Sequence, residues 1–160
     1  MASEDLESRV ERLERELALY RLIATYGPAV DSGSASAAAA LWADDGNYDF
    51  GDGVLEGAGA VEAMIEGRAH QSLIHEGVAH MLGIPLVDID GDHAVVTCYS
   101  QVCRRVEDGF RVWRVSANRW ELNWDVGRWR TTERRAYVLD GSERARLLLG
   151  RGAAATSGAG

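Results

Sequence analysis

Three short turns constrain this chain more than any other feature. Asp90-Gly91-Asp92, Glu107-Asp108-Gly109 and Asp125-Val126-Gly127 cut its second half into four long runs, about residues 78–89, 93–106, 110–124 and 128–138. Glycine beside an acid is turn chemistry, and turns this short return a strand alongside the one it left. The runs between them are rich in β-branched and aromatic residues, which fit a pleated surface. The second half therefore reads as an antiparallel meander of four strands.

The first half reads as helices. From residue 4 to about 26, Leu6, Val10, Leu13, Leu17 and Tyr20 recur at spacings of four and three, an a/d heptad seam. Arg9, Glu11, Arg12, Glu14, Arg15 and Glu16 occupy the other faces. Such a seam serves either a helix lying on its own sheet or one that extends outward and pairs with a partner subunit. Gly27-Pro28 predicts a kink or restart, because proline removes an amide and restricts the residue before it. Ser34 is a candidate N-cap for a second helix, about 35–43, ending at Asp44-Asp45-Gly46. Residues 47–50 alternate as a short strand, 51–53 turn, and a third helix spans about 58–72, with Val61, Met64, Ile65 and Ala69 on one face. Helices followed by strands indicate an α+β domain rather than an alternating α/β one. Three helices against a strongly bent antiparallel sheet would enclose a conical apolar cavity, the natural ligand site. The expected organisation is an N-terminal helical extension (1–20), a main domain (20–140) and a tail (141–160) with its last ten residues disordered.

Composition removes several functions. The formal charge of −8 argues against nucleic acid and against an anionic membrane surface. No apolar run approaches the roughly 20 residues that span a bilayer. The acidic Met-Ala-Ser-Glu-Asp start lacks the pattern of a signal or transit peptide. Cys98 and Cys103 lie five apart in one strand, so alternation points them to opposite faces. Two free thiols suggest a reducing cytoplasm. No zinc-ligand spacing, phosphate loop, dinucleotide fingerprint or nucleophile elbow is present. Asp88, Asp90 and Asp92 alternate into a turn without the later glutamate of a calcium loop. Neither a metal nor a cofactor is expected.

The candidate chemistry lies with Asp31 and His80. Asp31 closes the first helical layer, and His80 opens the first long strand. Histidine is a base at neutral pH, and a carboxylate on one ring nitrogen fixes its tautomer. The residues alone leave simpler roles open: a helix cap for Asp31, and a strand side chain on a backbone carbonyl for His80. Tyr26 and Tyr48 carry hydroxyls that could polarise a substrate oxygen. Of the five tryptophans, most belong in a core, with one or two flooring a pocket; Trp42 and Trp113 are taken for that role, together with Asn118. Arg130 and Arg134 share strand parity, whereas Arg135 faces the other way. An arginine inside the cone would bind a carboxylate or enolate oxygen. His70 and His75 are expected at the surface.

These residues resemble the SnoaL-like branch of the nuclear transport factor 2-like superfamily, a cystatin-like α+β cone. The resemblance rests on Leu22-Ile-Ala-Thr-Tyr26 with Ala29-Val-Asp31, on Leu41-Trp42-Ala-Asp-Asp45, on His80 with Asp90-Gly-Asp92-x-Ala94, and on Gly127-Arg-Trp129-Arg with Arg134. Within the superfamily it looks most like the group holding scytalone dehydratase, hexachlorocyclohexane dehydrochlorinase and bile-acid 7α-dehydratase. The resemblance implies a cofactor-independent Asp–His dyad formed by Asp31 and His80. It also implies pocket roles for Tyr26, Tyr48 and Arg134. Gly27-Pro28 departs from the family pattern, and so does Ile84-Pro85, where a strand edge or bulge is expected. The expectation is a dehydratase-like lyase or isomerase acting on a small apolar hydroxylated or carbonyl substrate. A polyketide-type cyclase and a non-catalytic binding module of the same fold are the alternatives. A homodimer or homotrimer is the expected assembly, since the exposed sheet of this fold commonly associates.

Overall fold

The computed structural model describes residues 5–157. It contains, in chain order, α1 (Leu6–Asp31), α2 (Ala35–Ala39), β1 (Trp42–Asp49), β2 (Val54–Glu56), α3 (Ala58–Glu66), α4 (Arg68–Glu76), β3 (Val78–Leu82), β4 (Leu86–Asp90), β5 (His93–Val106), β6 (Gly109–Asp125), β7 (Arg128–Val138) and α5 (Glu143–Ser157). The strands form one mixed sheet ordered β2-β1-β7-β6-β5-β3, with β4 also paired to β5. The expected meander is present as β5, β6 and β7 with β3 and β4 on the outer flank. Gly83-Ile84-Pro85 splits the first expected strand in two, as a proline without an amide donor requires. β1 pairs with β7 in parallel, so the sheet is not purely antiparallel.

α1 corrects the expectation of a break at Gly27-Pro28. It runs unbroken to Asp31 with Pro28 inside it. Proline deprives the carbonyl of Ala24 of its donor. Both residues lie on the exposed side of the helix, where water can bond that carbonyl. Gly27 has a different purpose. A Cβ there would sit 2.2 Å from the carbonyl oxygen of His80. Only glycine lets α1 settle this closely on β3.

Three further expectations change. Trp42 begins β1 rather than ending a helix, because β7 captures the chain there: the Thr131 amide donates to the Leu41 carbonyl at 2.9 Å. The Asp44-Asp45-Gly46 segment forms an irregularity within β1. The expected helix over 58–72 is two helices, α3 and α4, separated at Gly67. Gln71 Nε2 donates to the Ile65 carbonyl at 2.9 Å, satisfying one acceptor that the break frees. Where the sequence reads as a tail, α5 continues as helix through Ser157; residues 158–160 of the stretch expected to be disordered lie outside the described ones. α5 packs Ala145 and Leu148 on Ala117 of β6, covering part of the outer sheet face.

The main core joins Leu19, Leu22, Ile23 and Val30 of α1 to Trp42, Val61, Ile65, Val96, Trp120 and Leu122. The α1 seam faces away from it. Leu6, Val10, Leu13 and Leu17 are all exposed. Arg15, at the start of the packed portion, ties the helix to the β4–β5 turn through Asp92 and the Gly91 carbonyl, its guanidinium 4.4 Å from the Trp124 ring. Cys98 and Cys103 are both free. No helix among the described residues is long and apolar enough to cross a membrane.

Candidate active site

The close seating of α1 on β3 sets the geometry of the site. Asp31 is the last residue of α1, and His80 lies mid-strand in β3, at the edge of the sheet. An edge strand has outward amides that no neighbouring strand can satisfy. Asp31 Oδ2 accepts that amide of His80 at 2.6 Å, while Oδ1 lies 2.5 Å from His80 Nδ1. One carboxylate therefore fixes both the backbone and the ring of the histidine. A carboxylate only accepts, so Nδ1 carries a proton, and in the neutral ring the lone pair is then on Nε2. The two side chains are half-buried, at 14% exposure for His80 and 21% for Asp31.

His80 opens onto a cavity of about 390 Å³. That falls at the small end of the roughly 300–1,000 Å³ typical of ligand sites. Its wall is mostly apolar, with Leu55, Met64, Leu73, Leu82 and Val102 among its members, and Ser100, Ser116, His70 and Arg134 supply polar points. The tryptophans leave this hollow open. Trp42 and Trp120 are fully buried behind it.

Of the six expected binding residues, Tyr26, Tyr48, Trp113 and Arg134 line the cavity. Trp42 and Asn118 do not. Trp42 packs against Tyr26, Tyr48 and Trp120, with ring centroids 5.9, 6.2 and 5.5 Å away. Asn118 is fully buried under Arg134, where its Oδ1 accepts from Nε at 3.1 Å and Nη2 at 2.8 Å. Its own amide donates to Ser100 at 2.7 Å. Both residues support the wall from behind. Trp113 is half-exposed at the rim, as the extra residue of a bulge between Val112 and Arg114 of β6.

Arg134 is the most unusual of these side chains. It is 2% exposed, and among the described residues its hydrogen-bond partner is an amide oxygen rather than a carboxylate. Its guanidinium sits 4.1–4.3 Å from the Tyr26, Trp120 and Tyr48 rings, a cation–π cage. Its Nη1 is buried without a hydrogen-bond partner. Burial pushes the Tyr26 phenol up to about 12; Arg134 works against the rise and Tyr48 adds to it. Tyr26 is therefore a neutral hydroxyl at physiological pH.

The expected shared parity of Arg130 and Arg134 is corrected. Glu121 pairs with Glu133, but its neighbour Leu122 pairs with Thr131, so Thr132 is an inserted residue. The insertion reverses the facing of the strand. Arg134 points inward, while Arg130 bonds the Trp42 carbonyl and Asp44 at the flank. His70 is also corrected: it is buried and lines the cavity. Its Nε2 lies 2.8 Å from the Val30 carbonyl, which can only accept, so Nε2 holds the proton. His70 thereby braces the last turn of α1 next to Asp31, its ring 5.8 Å from that of His80. His75 is exposed as expected. The signal that could have placed His70 is the helical spacing of Ala69, His70 and Leu73, visible only once the phase is restarted at Gly67.

A bent mixed sheet with helices over its inner face and a hollow at its centre defines the cone-shaped, cystatin-like α+β class. The chain belongs to the SnoaL-like domain family, whose model matches residues 11–135. An NTF2-like protein with a cystatin-like fold from Novosphingobium aromaticivorans is 41% identical, with a TM-score of 0.88 over 92% of this chain and 99% of that one. A function-unknown protein from Mycobacterium tuberculosis shares the fold at 20% identity and a TM-score of 0.75, covering 97% of this chain and 94% of its own. A third structure, from N. aromaticivorans and provisionally named a scytalone dehydratase, is 18% identical with a TM-score of 0.67, over 79% of this chain and 85% of that one. No match to a curated protein was found.

Proposed function

We propose that this protein is a cofactor-independent lyase or isomerase whose base is His80. The observation that carries the reading is the two-point grip of Asp31 on His80 beside a largely apolar hollow, which in the neutral ring puts the lone pair on Nε2. His80 Nε2 takes a proton from a carbon next to a carbonyl or leaving group. Asp31 stabilises the imidazolium that results and does not itself need to change protonation. The electron pair released moves onto the substrate oxygen, which Arg134 and the Tyr26 and Tyr48 hydroxyls would stabilise; that all three line the cavity supports this. In a dehydration, the imidazolium returns its proton to the departing hydroxyl, so the net change is loss of water. In an isomerisation the same proton returns to a different carbon.

The cavity volume favours a small substrate over the extended polyaromatic ligand of a polyketide-type cyclase. A non-catalytic binding role would not need a histidine oriented by a carboxylate. The test is turnover of a panel of small β-hydroxyketones, followed by mass spectrometry for loss of water or by a shifted double bond. Native protein is expected to convert at least one member. His80→Ala should abolish the conversion, and Asp31→Asn should lower it by roughly 10²–10⁴-fold. Equal rates in native protein and both variants would refute the mechanism.

A further inference from the structure

We infer that residues 6–21 of α1, its first four turns, form a parallel two-stranded coiled coil with a second copy of this chain. The sheet occupies one edge of this helix. Arg15 and Leu22 contact the domain, and they stand seven apart. If Val10 and Leu17 are a positions and Leu6, Leu13 and Tyr20 are d positions, Arg15 and Leu22 are f positions, directly opposite the seam. The domain therefore leaves the a/d edge open, and Leu6, Val10, Leu13 and Leu17 are exposed there at 72, 43, 56 and 46%. Four large apolar side chains in heptad order on one open edge are what a partner helix covers.

Charge selects the occupant and its direction. The flanking e positions are Glu7, Glu14 and Arg21, and the g positions are Arg9 and Glu16. In a parallel pair each g residue meets the partner's following e residue. Arg9 then faces Glu14 of the second copy, Glu16 faces Arg21, and symmetry repeats both contacts, so all four pairs attract. An antiparallel pair that keeps Leu6 on Leu17 and Val10 on Leu13 brings Arg9 to Glu16 but sets Glu7 against Glu14. The same chain run in parallel has no such conflict. Val10 at an a position with Leu6 and Leu13 at d positions favours two strands over three.

The experiment uses the full chain and two charge-reversed variants. One carries Arg9→Glu with Glu16→Arg at the g positions; the other carries Glu14→Arg with Arg21→Glu at the e positions. Light scattering with sedimentation equilibrium reads the mass, and circular dichroism checks that each variant is folded. Native protein should be dimeric. Each variant alone should dissociate, its dimer constant weakened roughly thirtyfold as four exposed pairs turn from attraction to repulsion. A one-to-one mixture should restore a dimer, because every g–e pair between the two variants is again of opposite sign. An antiparallel pair would keep its Arg9–Glu16 attraction in the g-reversed variant, so that variant remaining dimeric overturns the inference. A monomeric native chain at tens of micromolar, or two variants that fail to pair on mixing, overturns it equally.

Discussion

Replacing Gly27 with alanine should damage this protein, although helix propensity alone says the opposite. In a helix interior Gly→Ala is worth about 1 kcal/mol in favour of alanine. Here the new methyl would lie 2.2 Å from the His80 carbonyl oxygen, a backbone atom that cannot swing aside. Relieving that overlap takes about 1 Å of separation between α1 and β3, given ordinary contact distances. The Asp31–His80 bonds, at 2.6 and 2.5 Å, would then open to about 3.5 Å, past useful hydrogen-bonding range. Losing two bonds to a charged group and straining the seat outweighs the propensity gain, for a net loss of about 2–4 kcal/mol. With a slope near 2 kcal/mol/M, the urea midpoint should fall by roughly 1 M or more. Gly59→Ala is the internal control. It too lies in a helix, and nothing stands within 4 Å of the added Cβ. That variant should be as stable as native protein or slightly more so. The His80 ring resonances should shift in Gly27→Ala and stay put in Gly59→Ala. If the two variants have equal midpoints, the close approach of α1 to β3 does not hold the dyad together.

Other outcomes can be checked without a substrate. Asp31→Asn presents an amide to two donors, the His80 amide and Nδ1, so the ring should switch its proton to Nε2; nitrogen-detected NMR of the imidazole reads the tautomer directly. Ultraviolet titration should find one phenol ionising only near pH 12, above its ordinary 10.0, and Tyr26→Phe should remove that component. Because the folded value is the higher one, the contribution of Tyr26 to stability is complete below pH 10 and is lost as pH rises through about 12. Burial pushes the Cys98 thiol up to about 11, so a thiol reagent should modify the half-buried Cys103 first and reach Cys98 only on unfolding.

Much of the architecture was legible because turns and periodicity act locally. The Asp-Gly and Gly-terminated turns marked β5, β6 and β7 almost to the residue, and Asp31 was legible as an acid at the end of the first helical run. What could not be read depends on contacts between distant segments. Gly27-Pro28 looks like a helix stop until the carbonyl of His80, 53 residues later, shows why a glycine is needed. Trp42 lies in a good helical stretch and is drawn into β1 by β7. Thr132 adds one residue to a strand, and that single insertion decides which arginine enters the cone. His70 reads as a surface residue until the break at Gly67, which resets the helical phase, is known. The C-terminal helix is not legible in the sequence because Gly, Ala and Ser resemble a linker, whereas Ala145 and Leu148 have a sheet face to cover.

Solvent-deuterium exchange tests the central claim most directly, because it registers proton removal even when no elimination follows. Small enolisable ketones would be incubated with protein in deuterated buffer and followed by proton NMR at the carbon next to the carbonyl. Native protein should catalyse exchange on a member of the panel that binds the cavity; His80→Ala should show none above buffer, and Asp31→Asn only a trace. Exchange that persists undiminished in His80→Ala, or tight binding of the panel with no exchange at all, would contradict a role for His80 as the base.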